Sequence, residues 1–211
     1  MRGRFITLEG LEGCGKSTQV PLLKAWLEAQ GIAVTATREP GGTPLAERIR
    51  ELVLGTAGEK MPVECELLLM FAARATHLAN LIRPELQKGT WVLCDRFTDA
   101  SFAYQGAGRG VAETHISALQ ALVHGDLQPD LTLLIDVPVA VGLERARVRR
   151  GTARRDRFEV EEREFFERVR ANFLARASTE AKRIKVVDGT QPIASVTAAI
   201  QAHVARLIPS E

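Results

Sequence analysis

The chain has 211 residues, 45% apolar and 26% charged, which suffices for one substantial core and argues against two separate domains, so a single domain over residues 1–211 is expected. The apolar run before Glu9 is too short for a signal-peptide core, and no later stretch reads as a membrane span, so a cytoplasmic protein with no membrane partner is expected. Cys14, Cys65 and Cys94 are odd in number and far apart, which excludes a disulfide framework or zinc site and fits reduced thiols, while the net charge of +2 is nearly neutral.

Strand-like apolar runs at residues 5–8, 32–37, 91–94, 131–137 and 184–187 alternate with segments of helical periodicity. Parallel strands need crossover connections that are usually helical. The alternation therefore predicts an α/β fold, a five-stranded parallel sheet flanked by helices on both faces, with function at the strand C-terminal ends. One helix is predicted from Ser17 to a stop at Gly31, one from Pro44 through Leu54, and a long apolar one from Pro62 to about Gln87. Others follow Pro138, Val160 and Pro192. Pro21 should remove one bond from the first helix and bend it. Residues 105–110, rich in glycine, read as the most flexible internal stretch.

Directly after the first strand, Gly10, Leu11, Glu12, Gly13, Cys14, Gly15, Lys16 and Ser17 fit G-x-x-x-x-G-K-[ST] and lead through Thr18 into a helix. Glycines let successive amides converge on phosphate oxygens, and the helix start adds its positive dipole end. Lys16 is expected to reach the β and γ phosphates of ATP, and the Ser17 hydroxyl to hold magnesium. A glycine-rich turn with no ligand is the plain alternative. No guanine-reading Asn-Lys-x-Asp is present, and no second acid follows Asp95 or Asp136. Asp95 at a strand end suits magnesium organisation, with Arg96 gripping the phosphate of a second substrate, although a strand-end salt bridge would use the same pair.

Residues 145–157 hold seven arginines against one acid, Asp156. An anionic partner, polyphosphate or nucleic acid, would answer that excess, and so would a solvated helix face. His77, His115, His124 and His203 have no metal spacing and are assigned no chemistry.

The glycine loop with Glu12 inside it, Arg38-Glu-Pro-Gly-Gly-Thr43 after the second strand and Asp95-Arg96-Phe97 after the third together resemble the bacterial thymidylate kinase family. Ser101-Phe-Ala-Tyr-Gln105, Asp156-Arg157-Phe158-Glu159 and Asp188-Gly-Thr-Gln191 match further along, so the likeness covers nearly the whole chain. It implies transfer of the γ-phosphoryl group of ATP to thymidine monophosphate, on the route to the triphosphate, with magnesium as cofactor and a homodimer as the assembly.

The resemblance also implies roles. Arg38 and Arg96 would bind the acceptor phosphate, and Pro40 would sit in the turn that brings backbone to the nucleotide. Phe71 would stack on thymine and Arg74 would donate to its 4-oxo group; Phe71 as core packing is the alternative. Ser101 and Gln105 would complete the base edge, and Tyr104 would crowd the position of a ribose 2′-hydroxyl. Glu12 would face the acceptor sugar or the lid, and Glu9 would assist near magnesium. The arginine-rich segment, about residues 145–157, would be a short mobile lid that supplies the catalytic arginine which this glycine loop lacks. Arg149 is the first choice, with Arg150 and Arg154 as alternatives because the lid holds one or two more residues than the family pattern. Residues 188–192 would lie along adenine, or simply turn the chain. Another nucleoside or nucleotide kinase is the nearest rival. A nucleotide-switched nucleic-acid binder is a further one, disfavoured because the arginine segment lacks interleaved aromatics.

Overall fold

In the computed structural model, which describes residues 2–55, 59–151, 158 and 161–208, with Arg150 as backbone only, five strands form one parallel sheet in the order β2-β3-β1-β4-β5. They are β1 (Phe5–Glu9), β2 (Val34–Arg38), β3 (Trp91–Asp95), β4 (Leu131–Asp136) and β5 (Ile184–Asp188), each within two residues of its predicted run. The connections are α1 (Lys16–Glu28), α2 (Pro44–Leu54), α3 (Val63–His77), α4 (Arg83–Gln87), α5 (Thr98–Ser101), α6 (Glu113–His124), α7 (Val139–Arg150), α8 (Arg163–Thr179) and α9 (Ile193–Val204).

Alternating side chains on the strands serve two layers. Ile6, Leu8 and Leu133 pack with Leu23 and Leu27 of α1 and with Val196 and Ile200 of α9. On the opposite face, Phe5 and Val92 pack with Leu78, Ile82 and Leu86, while Leu134 and Ile184 pack with Phe166, Val169 and Phe173 of α8. Helices therefore cover both faces, as the sequence predicts.

The register fixes the site. Arg38 pairs with Asp95, and Asp95 in turn with Leu8, so the C-terminal ends of β1, β2 and β3 stop at one level. The glycine loop leaves from the middle of that edge.

Two expectations are corrected. Residues 105–110 are not an open flexible loop: α5 continues into a wide π-type turn, Phe102–Gly108, in which Tyr104, Gln105, Gly106 and Gly108 are buried. Gly108 is there for close packing, because a Cβ would stand 2.6 Å from the Phe165 ring of α8. The helix Val63–Gln87, a continuous run of α3, a π turn and α4, is long and apolar enough to span a membrane, contrary to the expectation that nothing approaches one. Half of its most apolar window is buried, and it carries Glu66, Arg74 and His77 into the interior, as a core helix does. Pro21 lies exposed inside α1, which runs from Lys16 to Glu28, and having no N–H it donates no ladder bond there, as expected.

Candidate active site

Gly10, Gly13 and Gly15 all have positive φ, 135°, 73° and 108°, which turns the loop tightly enough for α1 to begin at Lys16. No side chain can replace hydrogen at Gly13, because a Cβ would meet the Gly142 carbonyl of α7 at 2.1 Å. The loop is thereby wedged against the helix that carries the arginines. Lys16 folds back over it and donates from Nζ to the carbonyls of Gly10 and Leu11, both at 3.0 Å. Ser17 and Thr18 are exposed at the helix start.

Two clefts meet at this loop. One is lined by Gly15, Lys16, Ser17, Arg38, Asp95 and Arg96 and continues toward Pro40, Arg50, Tyr104 and Gln105. The other is lined by Cys14, Thr18, Arg145, Gly189, Gln191 and Ile193. Arg149 lines both, at their junction.

In the first cleft the charged groups are prearranged. Arg96 has φ 72°, unusual for a residue with a side chain, and its backbone N–H is tied to the Leu8 carbonyl at 2.9 Å. That turn sends the guanidinium back to the loop, where it donates to the Gly10 carbonyl at 3.0 Å and to Glu12 Oε1 at 2.8 Å. Tyr104 donates to the other Glu12 oxygen at 2.7 Å, and burial pushes its hydroxyl well above the usual range, so it keeps its proton. Arg38, half exposed, pairs with Glu47 at 2.9 Å. Arg50 donates to the Pro40 carbonyl at 2.8 Å.

Behind this layer lies a fully buried one. Arg74 donates from Nε to Glu39 Oε2 at 2.7 Å and from NH2 to Ser101 Oγ at 3.1 Å and the Phe97 carbonyl at 3.2 Å. Its guanidinium stacks 4.6 Å above the Phe71 ring. Burial works against the Glu39 charge, but Arg74 and His77 outweigh it and hold this carboxyl below the usual range. Gln105 donates to Glu66 at 2.8 Å. Two polar atoms here, Arg74 NH1 and Gln105 Oε1, are buried with no hydrogen-bond partner among the described residues. One is a donor and the other an acceptor, complementary to a base edge that offers an oxo group beside an N–H.

The thymidylate kinase family model matches residues 8–200. The chain belongs to the thymidylate kinase family. It is 55% identical over 208 residues to the thymidylate kinase of Pseudomonas savastanoi pv. phaseolicola, covering 99% of this chain and 98% of that one. With that of Chromohalobacter salexigens it shares 56% identity over 209 residues, 99% and 98% of the two chains. Its fold superposes on the crystal structure of thymidylate kinase from Ehrlichia chaffeensis with a TM-score of 0.77 and 34% identity, over 97% of this chain and 99% of that one. The chain is accordingly an ATP-dependent kinase with a P-loop nucleotide-kinase fold.

Of the site residues expected from sequence, Glu12, Lys16, Ser17, Arg38, Pro40, Asp95, Arg96, Tyr104, Gln105 and Arg149 converge on the first cleft. Phe71, Arg74 and Ser101 are at most 2% exposed and lie behind the cleft wall, with Phe71 in an apolar cluster beside Leu67, Phe102 and Ile116. Glu9 is fully buried below the loop. It accepts from the Phe97 N–H at 2.7 Å, and burial, with help from Asp99, pushes its carboxyl up to about 8. Glu9 therefore does not line either cleft. Gly189 and Gln191 do line the second cleft, and Asp188 closes their turn by accepting from the Thr190 N–H at 2.9 Å, so a turn and a cleft wall coincide there. Arg154, Asp156, Arg157, Glu159 and the Arg150 side chain lie outside the described residues.

Sequence reasoning missed Glu39, Arg50, Glu66 and His77. Glu39 and Glu66 are buried carboxylates whose partners lie 35 and 39 positions away, beyond any local spacing rule. Arg74 and His77, three apart on α3, were the available signal, since both must face Glu39.

Proposed function

We propose that the first cleft holds the acceptor and the second the donor in the enzyme's reaction, the phosphorylation of thymidine monophosphate to the diphosphate by ATP. What carries the reading is the pair of clefts meeting at the glycine loop, with Gly13, Gly15, Ser17 and Arg149 on the wall of both. The loop amides and Lys16 bind the donor phosphates, while Arg38 and Arg96 bind the acceptor phosphate. That phosphate is already an anionic nucleophile at neutral pH, so the protein's work is alignment and charge neutralisation more than proton removal. Arg149 supplies the neutralising charge at the junction.

Arg74 and Gln105 read the base through their unpartnered atoms. Cytosine would set an amino donor against the Arg74 donor, and a buried donor left unpaired costs about 1–3 kcal/mol. Phe71 backs the Arg74 guanidinium, and Ser101 fixes it. Tyr104, bonded to Glu12, crowds the sugar. Ser17 and Asp95, a hydroxyl and a carboxylate on the same cleft wall, fit the oxygen-rich shell of magnesium, which would screen the transferred phosphate's charge when bound there. Glu9 takes part only at second hand, beneath the Phe97 backbone.

The lid assignment to residues 145–157, the single domain over residues 1–211, a cytoplasmic location and a homodimer complete the proposal. Leu68 of α3 and Leu122 of α6, 57% and 80% exposed on helices that pack together, are candidates for a subunit contact. ADP release measured with each nucleoside monophosphate tests the acceptor reading. Thymidine monophosphate should exceed deoxycytidine monophosphate in kcat/KM by about tenfold or more. Equal rates would remove the base-reading role.

A further inference from the structure

His77 is wholly buried, belongs to neither cleft and has a full set of partners. Its Nε2 lies 2.8 Å from Thr37 Oγ1 on β2, and its Nδ1 lies 3.1 Å from Glu39 Oε1. A carboxylate only accepts, so Nδ1 carries the proton toward Glu39, and in the neutral imidazole Nε2 then accepts from the Thr37 hydroxyl. Gly42 leaves room for this seat, because a Cβ there would come within 2.5 Å of both His77 Nε2 and Thr37 Oγ1. The hydrogen bonds run in one direction, from Thr37 to His77 to Glu39, and Glu39 then receives Arg74.

We infer that His77 is a positioning residue for base selection: by occupying Glu39 Oε1 it restricts Glu39 to a single bond with Arg74 and keeps Arg74 NH1 aimed at the acceptor base. With Oε1 released, Glu39 would close the two-pronged fork that carboxylates form with guanidinium. The guanidinium would then be drawn from Ser101 and the Phe97 carbonyl, its present NH2 partners, and NH1 would turn away. The inference rests on the reading of Arg74 as the base donor.

The side-chain amide of asparagine can stand where Nδ1 stands, and that of glutamine where Nε2 stands, so two variants of the full chain separate the two bonds. His77→Gln, which keeps the Thr37 contact and loses the one to Glu39, should lower kcat/KM for thymidine monophosphate by about tenfold to a hundredfold, the worth of one hydrogen bond to a charged group. The loss should fall on the acceptor KM, narrow the preference over deoxycytidine monophosphate, and leave the KM for ATP unchanged. His77→Asn should stay within about threefold of the parent. Thr37→Val, which removes only the outer donor, should shift the acceptor KM in the same direction by a smaller factor and decides the matter if His77→Gln does not fold. Equal behaviour of the Asn and Gln variants, or a loss confined to kcat or to ATP, would overturn the inference. Arg74→Met measured alongside tells the two failures apart. If it keeps the parent's base preference, the reading of Arg74 is wrong and the inference goes with it. If it loses that preference while His77→Gln retains it, the relay alone is wrong.

Discussion

The base-facing part of the acceptor side is made of side chains paired with one another out of contact with water, whereas the donor side is made of main-chain amides, one lysine and arginines on an exposed helix. Arg74 and Glu39 are 1% and 4% exposed and pair at 2.7 Å. Arg149 stands on the solvent face of α7. Each construction suits its proposed task. Telling thymine from cytosine turns on one donor in the right direction, which requires a guanidinium with no freedom to turn. Neutralising a transferring phosphoryl group needs positive charge close by, and an exposed side chain can bring it. Substitutions on the donor side should therefore cost rate with little stability, and those among the buried base-facing residues should cost both stability and acceptor affinity.

The sharpest break in that contrast comes from the donor side. Lys16→Ala should reduce turnover by about 10³-fold or more, toward the detection limit, while calorimetric titration still finds thymidine monophosphate bound. Arg149→Ala should cost about 10³-fold in kcat. Its unfolding midpoint should match the parent's, since an exposed arginine contributes little to stability; a fall in both would make Arg149 a structural residue. On the acceptor side, Glu39→Ala leaves Arg74 charged, buried and uncompensated, so denaturant unfolding should show a loss of about 3–5 kcal/mol. A stable Glu39→Ala variant with a normal acceptor KM would erase the distinction between the two sides.

The smallest effect belongs to Glu9, beneath both sides. Its folded carboxyl titrates at about 8 against an ordinary 4.5, so the folded protein holds a proton that the unfolded chain has released. Stability from this group is thus greatest below about pH 4.5, declines as pH rises toward about 8 and is level beyond, a total on the order of a few kcal/mol. Glu9→Gln removes the titration. Its unfolding midpoint, measured without nucleotide or magnesium, should gain on the parent steadily from pH 5 to pH 8; a constant gap would mean that Glu9 is ionised throughout.

The sheet could be read from sequence because each strand is a short apolar run between turn residues, and Pro44 and Pro62 mark helix starts without any tertiary help. Residues 98–124 could not be read that way. Gly106 and Gly108 look like loop residues until Ile116 and Phe165 are seen against them, an approach of helices that no local pattern encodes. The site divides along the same line. Its phosphate-facing half follows one contiguous motif, Gly10 to Ser17, and two strand-end arginines. The base-facing half depends also on Glu39 and His77, whose partners arrive from another strand or helix, so family resemblance supplied Arg74, Phe71, Ser101 and Gln105 but not the carboxylate that pairs with Arg74 or the histidine behind it.

A crystal structure with thymidine monophosphate and a non-hydrolysable ATP analogue bound tests the central claim most directly. The account predicts the acceptor phosphate between Arg38 and Arg96, the thymine 4-oxo group on Arg74 NH1, the donor phosphates in the glycine loop, and Arg149 at the join. An acceptor whose phosphate lies away from Arg96, or an Arg149 directed out of both clefts, would contradict it.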